Sequence, residues 1–267
     1  MGPTSAPPPL DPTPTTTTTT TTLRLALLLC DQPLPQISTQ VGQFDTIFST
    51  LLHAACASLT PPQTLESQLT LSAHDVVRGG LYPDPDAIDA VLITGSRSAA
   101  YADDAWVVRL AAFVRGLLEG GRVRVIGVCF GHQIVARALG AKVAPAPGGW
   151  ELSVTEVQLS EEGRGVFGGA SLKMYQTHRD AVLELPKGVT LLGSTEQCPI
   201  QAMYIRGRLI TVQGHPEFSP FIMTEMLRAR HGAGAIPDGP YEDAMKRVGD
   251  PHDGVAMARV FLRFLRE

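Results

Sequence analysis

Seven residues, Gly127-Val128-Cys129-Phe130-Gly131-His132-Gln133, lie between two runs of opposite periodicity. Before them, Val123-Arg124-Val125-Ile126 is short, β-branched and apolar, the pattern of a buried strand. After them, Ile134 to Leu139 continues at helical spacing and stops at Gly140, a residue suited to a helix C-cap. A sharp strand-to-helix turn has no room for bulky Cβ atoms, and the glycines two residues either side of Cys129 meet that requirement. Such an elbow lifts the sulfur off the sheet edge and sets it at the positive end of a helix, where thiolate is favoured over thiol. Most free cysteines are buried and inert. The paired glycines and the change of periodicity favour a nucleophile here.

Strand and helix alternate through the first half of the chain. Leu23 to Cys30 reads as a strand, and Gln43 to Leu59 as an amphipathic helix with Phe44, Ile47, Phe48, Leu51, Leu52 and Ala55 on one face. Gln68 to Leu71 reads as a short strand. Ala87 to Thr94 reads as a buried strand running into Gly95-Ser96-Arg97-Ser98, and Asp103 to Glu119 as a second amphipathic helix. This order predicts βαβ units in an α/β fold with a doubly wound, mostly parallel sheet. Later, Leu152 to Leu159, Val189 to Ser194, Ile200 to Tyr204 and Leu209 to Val212 read as short added strands, antiparallel or mixed. Helices near 221–230 and 255–266 follow.

The 267 residues suit one large domain. Residues 1–22, with six prolines and the tract Thr15 to Thr22, can bury little and are expected to form a disordered tail. The domain is then expected over 23–267. A net charge of −4 with mixed signs gives no basic stripe for nucleic acid, and no apolar run is long enough to span a bilayer. Four scattered cysteines without a CxxC pair fit a reducing, cytoplasmic setting. No His, Cys and carboxylate cluster has ligand spacing, so the sequence implies no metal and no cofactor.

A cysteine nucleophile needs a base, and the base needs an orienting group. His132 lies inside the elbow helix, where its side chain cannot easily face the sulfur, and is assigned to packing or hydrogen bonding. His53, His74, His231 and His252 read as solvated. His215 differs. It follows the strand Leu209 to Val212 and Gln213-Gly214, which puts an imidazole at the carboxyl edge of the sheet, where sites in open α/β folds gather. Pro216 fixes the backbone between His215 and Glu217, so the carboxylate can orient the imidazole and stabilise its cation. A surface turn with an incidental His and Glu is the competing reading, and the elbow upstream weighs against it.

Together, the Gly127-to-Gln133 motif and His215-Pro216-Glu217 resemble the class I, triad-type glutamine amidotransferases, over roughly Leu23 to Glu217. The resemblance implies that Cys129 attacks a γ-glutamyl amide, that His215 is its acid and base, and that Glu217 orients His215. It implies oxyanion donors at the Phe130 N–H and at Gly95, with Ser96 adjacent, and a glutamine pocket lined by Gln133. Met174-Tyr175-Gln176-Thr177-His178-Arg179-Asp180 resembles a family loop over the site, bringing Tyr175 and His178 toward substrate or serving structure alone. No P-loop or second catalytic domain supplies a synthase half. Gly95-Ser96-Arg97-Ser98 departs from the Gly-Gly-Pro pattern of synthase-coupled members, and the stretch to Trp106 is closer to the free-standing branch that includes the γ-glutamyl peptidases. The expected function is hydrolysis of glutamine or of a γ-glutamyl peptide such as a glutathione conjugate. The alternatives are a noncatalytic or ammonia-supplying subunit docked on a separate synthase, and another elbow-cysteine hydrolase, whose third partner would lie elsewhere in the chain.

Overall fold

A computed structural model describes residues 21–267, so the tail expected over residues 1–22 falls outside the described residues up to residue 20. The first half alternates as the sequence predicts. Strand β1 (Leu23–Leu29) leads to helices α1 (Pro35–Val41), α2 (Phe44–Ala57) and α3 (Leu65–Gln68), then β2 (Leu69–Asp75) and β3 (Ala90–Ile93). Helix α4 (Ala105–Gly120), β4 (Arg124–Val128) and α5 (Phe130–Ala138) complete that half. The second half contains β5 (Val143–Pro145), β6 (Glu151–Leu159), α6 (Glu161–Phe167), β7 (Ser171–His178), β8 (Asp180–Val182), β9 (Thr190–Ser194), β10 (Ala202–Ile205) and β11 (Leu209–Val212). Helices α7 (Pro220–Gly232), α8 (Asp238–Arg247) and α9 (Gly254–Phe264) close the chain.

Nine strands form one sheet in the order β2-β1-β3-β4-β11-β10-β9-β6-β7. The pairs from β2 across to β11 are parallel, and those from β11 to β7 are antiparallel. The fold is thus α/β with a mostly parallel centre and antiparallel additions. Alternate residues of β1 face opposite sides. Leu25 and Leu27 pack with α2 and α9, whereas Ala26 and Leu28 pack with α4 and α5. Burial on both faces is why the central strands read as continuous apolar runs rather than alternating ones. Among the described residues, no helix is long and apolar enough to cross a membrane.

The structure departs from the sequence reading where polar residues are buried or helices carry breakers. Met174 to His178 is the second half of β7, paired antiparallel to β6 from Gln158↔Ser171 to Glu151↔His178, and so is not a loop. Gln176, Thr177 and His178 are buried, and Gln176 and His178 bond Gln201 and Glu151, which erases the alternation that marks a half-exposed strand. Helix α8 carries Gly239 and Pro240 in its first turn, yet proline is tolerated there because its missing N–H has no partner anyway. Helix α6 contains two glycines and is held by its cap, the Ser160 hydroxyl accepting from the Gly163 N–H at 2.9 Å.

Candidate active site

The elbow has the expected form. Cys129 sits between β4 and α5 with φ 53° and ψ −104°, a conformation that side chains with a Cβ avoid. The two flanking glycines are sterically required. A Cβ on Gly127 would stand 2.7 Å from the Gly131 carbonyl oxygen, and one on Gly131 would stand 2.3 Å from that of Ile93. Gly140 follows α5 with φ 83° and ends it. The Cys129 N–H donates to the Val212 carbonyl at 2.9 Å, which ties the elbow to the end of β11.

That tie matters because β4 and β11 are parallel neighbours with Val128 opposite Val212, so both strands deliver their next residues to the same edge. His215 lies three positions past Val212, and its own N–H donates to the Tyr175 carbonyl at 2.8 Å. The imidazole stacks on Phe218 at 4.0 Å and 15°. Its Nδ1–H donates to Glu217 Oε1 at 2.7 Å, and the Cys129 sulfur lies close enough to favour its cation. Both His215 and Glu217 are buried. Burial works against the imidazolium, but the Glu217 carboxylate and the Cys129 sulfur outweigh it and push His215 up to about 10. The second Glu217 oxygen is buried without a hydrogen-bond partner among the described residues, so the carboxylate is aimed at one task.

Gly95 closes the other side. A Cβ there would meet His215 Cε1 at 2.9 Å and Cys129 Cβ at 3.8 Å. Its loop is held by Thr94, whose hydroxyl donates to the Gly95 carbonyl at 3.1 Å and accepts from the Cys30 N–H at 3.0 Å. Arg97 clamps the same loop to Asp31 through its N–H, Nε and Nη2 at 2.9, 2.8 and 2.7 Å. The Phe130 N–H is the first amide of α5, one of those a helix leaves without an internal acceptor. Gly95→Ala is expected to displace the imidazole and lower turnover by about 10-fold or more while Tm changes by only a few degrees, since a 1 Å misplacement near the chemistry can cost 10²-fold. Unchanged turnover in that variant would place Gly95 outside the site.

Other residues singled out from the sequence have different surroundings. The Gln133 amide nitrogen donates to the Asp180 carbonyl at 2.9 Å and to Gln213 Oε1 at 3.1 Å, and Gln133 does not line the cavity beside His215. The Tyr175 ring is fully buried, its hydroxyl donating to the Val248 carbonyl at 2.7 Å. Only its backbone reaches His215. Ser96 lines the cavity. His178 points both ring nitrogens at acceptors, the Asp180 carbonyl at 3.0 Å and Glu151 Oε2 at 2.9 Å. Glu151, His178 and Cys198 bring potential ligand atoms within 4.8 Å of one another. Glu151 already accepts from Gln201 at 2.6 Å and from Thr195, so the trio reads as a hydrogen-bonded cluster. Its members come from two strands and a loop, which is why no local spacing signalled them. Burial pushes the Cys198 thiol up to about 12 and the Cys30 thiol higher still, so both remain protonated and inert.

His132 is fully buried behind the elbow, as packing predicts. Its Nε2–H donates to the Ile200 carbonyl at 3.1 Å and its Nδ1 accepts from the Thr211 hydroxyl at 2.8 Å. Burial, with a small further contribution from His178, pushes it down to about 3 against a hydrogen bond that favours the cation. An imidazole that stays neutral in the fold but charges in the unfolded chain weakens folding as pH falls from 6.5 toward 3. At pH 5 the loss is about 2 kcal/mol. Thermal melts of the protein and of His132→Gln from pH 7.5 to 5 should show a steeper acid loss in the unsubstituted chain. Parallel slopes would contradict this.

The cavity beside His215 is lined by His215, Gly95 and Ser96 and by the apolar residues Leu34, Ile37, Phe44, Phe218, Ile222 and Met226, with Cys129 itself outside the lining. Arg97 and Arg230 also line it. Arg230 carried no signal in the sequence, since a single arginine on an amphipathic helix looks like a solvated one.

Residues 82–230 match the family model for glutamine amidotransferase class-I. The chain is 34% identical over 247 residues to a glutamine amidotransferase-like protein of Schizosaccharomyces pombe, covering 91% of this chain and 98% of that one. It is 37% identical over 158 residues to γ-glutamyl peptidase 3 of Arabidopsis thaliana, covering 55% of this chain and 63% of that one. Among solved structures, a glutamine amidotransferase from Thermotoga maritima superposes with a TM-score of 0.65 at 17% identity, over 93% of this chain and all of that one. The last comparison bears on the fold alone.

Proposed function

Since the chain belongs to the class I glutamine amidotransferase family, we propose that it is a free-standing cysteine hydrolase of γ-glutamyl amides. The observation that carries this reading is the Cys129 sulfur on a strained elbow, at the same sheet edge as an imidazole that Glu217 holds at 2.7 Å. In the proposed reaction the Cys129 thiolate attacks the γ-carbonyl carbon. The C–S bond forms, and the carbonyl electrons move to an oxyanion held by the Phe130 N–H and the Gly95 loop. His215, protonated and steadied by Glu217, gives its proton to the leaving nitrogen as the C–N bond breaks, and an amine or ammonia departs. The neutral imidazole then takes a proton from water. The hydroxide adds to the γ-glutamyl thioester, the C–S bond breaks, and glutamate leaves with the sulfur returned as thiolate.

Within this reading, a γ-glutamyl peptide of the glutathione-conjugate type is the favoured substrate over free glutamine. The support is the apolar wall from Leu34 to Met226, which an ammonia leaving group would leave unused, together with the likeness to a chain named γ-glutamyl peptidase. Mass spectrometry of the purified protein offered glutamine, glutathione and a glutathione S-conjugate separately tests it. A preference for the conjugate supports the peptidase form, and ammonia from glutamine would select glutaminase chemistry. No turnover of any of the three would overturn the free-standing hydrolase and favour a subunit that acts only on a synthase.

A further inference from the structure

We propose that Arg230 is the carboxylate anchor of this site, fixing the substrate by a two-pronged hydrogen bond from its guanidinium. The inference rests on the γ-glutamyl reading above and adds to it the group by which the substrate is selected.

The side chain comes from the last turn of α7 and lines the same cavity as His215, Gly95 and Ser96. One edge of its guanidinium is fixed. Nη1 donates to the Thr177 hydroxyl at 2.6 Å and to the Thr177 carbonyl, and the Trp150 ring lies 4.9 Å from Cζ. Thr177 precedes His178 at the end of β7, so the clamp belongs to the sheet and not to a mobile side chain. The Nε and Nη2 donors have no hydrogen-bond acceptor among the described residues, and no carboxylate there comes within salt-bridge distance. The neighbouring Arg97 differs, being neutralised by Asp31 at 2.7 Å. Arg230 is therefore a positive charge held in place beside the catalytic edge with no counter-charge of its own. Burial and the nearby Arg97 cation work against that charge, and the Cys129 sulfur favours it. A carboxylate from substrate would supply the missing partner, and a planar fork matches it better than an ammonium could.

Two carboxylates of a γ-glutamyl peptide could serve, the α-carboxylate of the γ-glutamyl group and the terminal carboxylate of the departing peptide. The test separates them. For γ-glutamyl p-nitroanilide, which carries only the α-carboxylate, Arg230→Gln is expected to raise KM by roughly 10- to 100-fold with kcat changed by less than about 3-fold. Arg230→Lys should recover part of that loss. In the unsubstituted protein the α-carboxamide of the same anilide should be a correspondingly poor substrate, a comparison that needs no variant to fold. An effect confined to peptides with a free terminal carboxylate, absent for their C-terminal amides, would support the anchor and assign it to the leaving side. An unchanged KM for every carboxylate substrate, or a loss carried by Tm and kcat alone, would overturn the proposal. Calorimetric binding of glutathione to Cys129→Ala, compared with Cys129→Ala/Arg230→Gln, reads the anchor without turnover. Lost binding in the double variant supports the anchor even if hydrolysis is never seen, and equal binding overturns it even if hydrolysis is robust.

Discussion

Cys129→Ala is expected to lower hydrolysis of γ-glutamyl substrates by about 10⁴-fold or more while leaving the fold intact, because removing a nucleophile removes the covalent route itself. The fold should not suffer. Cys129 is nearly buried, but its φ of 53° lies where only glycine is at ease. Strain of this kind is worth about 1–3 kcal/mol, and the entropy cost of glycine in the folded chain is about 0.5–1 kcal/mol. Cys129→Gly should then stabilise the protein by about 1 kcal/mol, a rise in Tm of a few degrees for a chain this long. The elbow would be a place where stability is given up to hold a sulfur in position. A fall in Tm for Cys129→Gly, or retained turnover in either variant, would contradict the assignment.

Glu217→Gln should keep the geometry and lose the chemistry. The glutamine is nearly the same shape, and its amide can sit 2.7 Å from His215 Nδ1 as the carboxylate does. Without the negative charge, the imidazolium loses the strongest interaction that offsets its burial. By analogy with neutral replacements of the third residue in other triads, kcat is expected to fall by about 10²–10⁴. The pH profile carries the sign. His215 is pushed up to about 10, so in the unsubstituted enzyme it stays protonated through neutral pH and loses its proton on the alkaline side. In the Glu217→Gln variant that loss comes earlier, and the alkaline limb of kcat moves toward neutral. A profile that keeps its alkaline limb while kcat falls would mean that Glu217 acts by packing and not by charge.

Much of this is legible in the sequence. The elbow can be read because its constraints are local. Gly127 and Gly131 are required by atoms within four residues or on the adjoining strand, and the change of periodicity falls at Cys129 itself. His215 and Glu217 are equally local, being joined by one proline. The parallel half of the sheet follows from strands buried on both faces, which leave continuous apolar runs. What escapes depends on distant partners. Strand β7 is hidden because Gln176 and His178 are buried against Gln201 and Glu151, residues from other strands and loops. The partners of the Gln133 amide nitrogen, Asp180 and Gln213, are likewise far along the chain. Arg230 cannot be distinguished from a surface arginine until Thr177 and Trp150 are beside it.

The most direct test is to stop a reaction of the protein with a glutathione S-conjugate by acid within the first turnover and examine the Cys129-containing peptide by mass spectrometry. The Cys-His-Glu mechanism predicts a γ-glutamyl thioester on Cys129 that forms as the C–N bond breaks, no later than the amine is released, and decays as glutamate appears. Turnover with no adduct on Cys129, or an adduct on Cys198 or Cys30 instead, would contradict it.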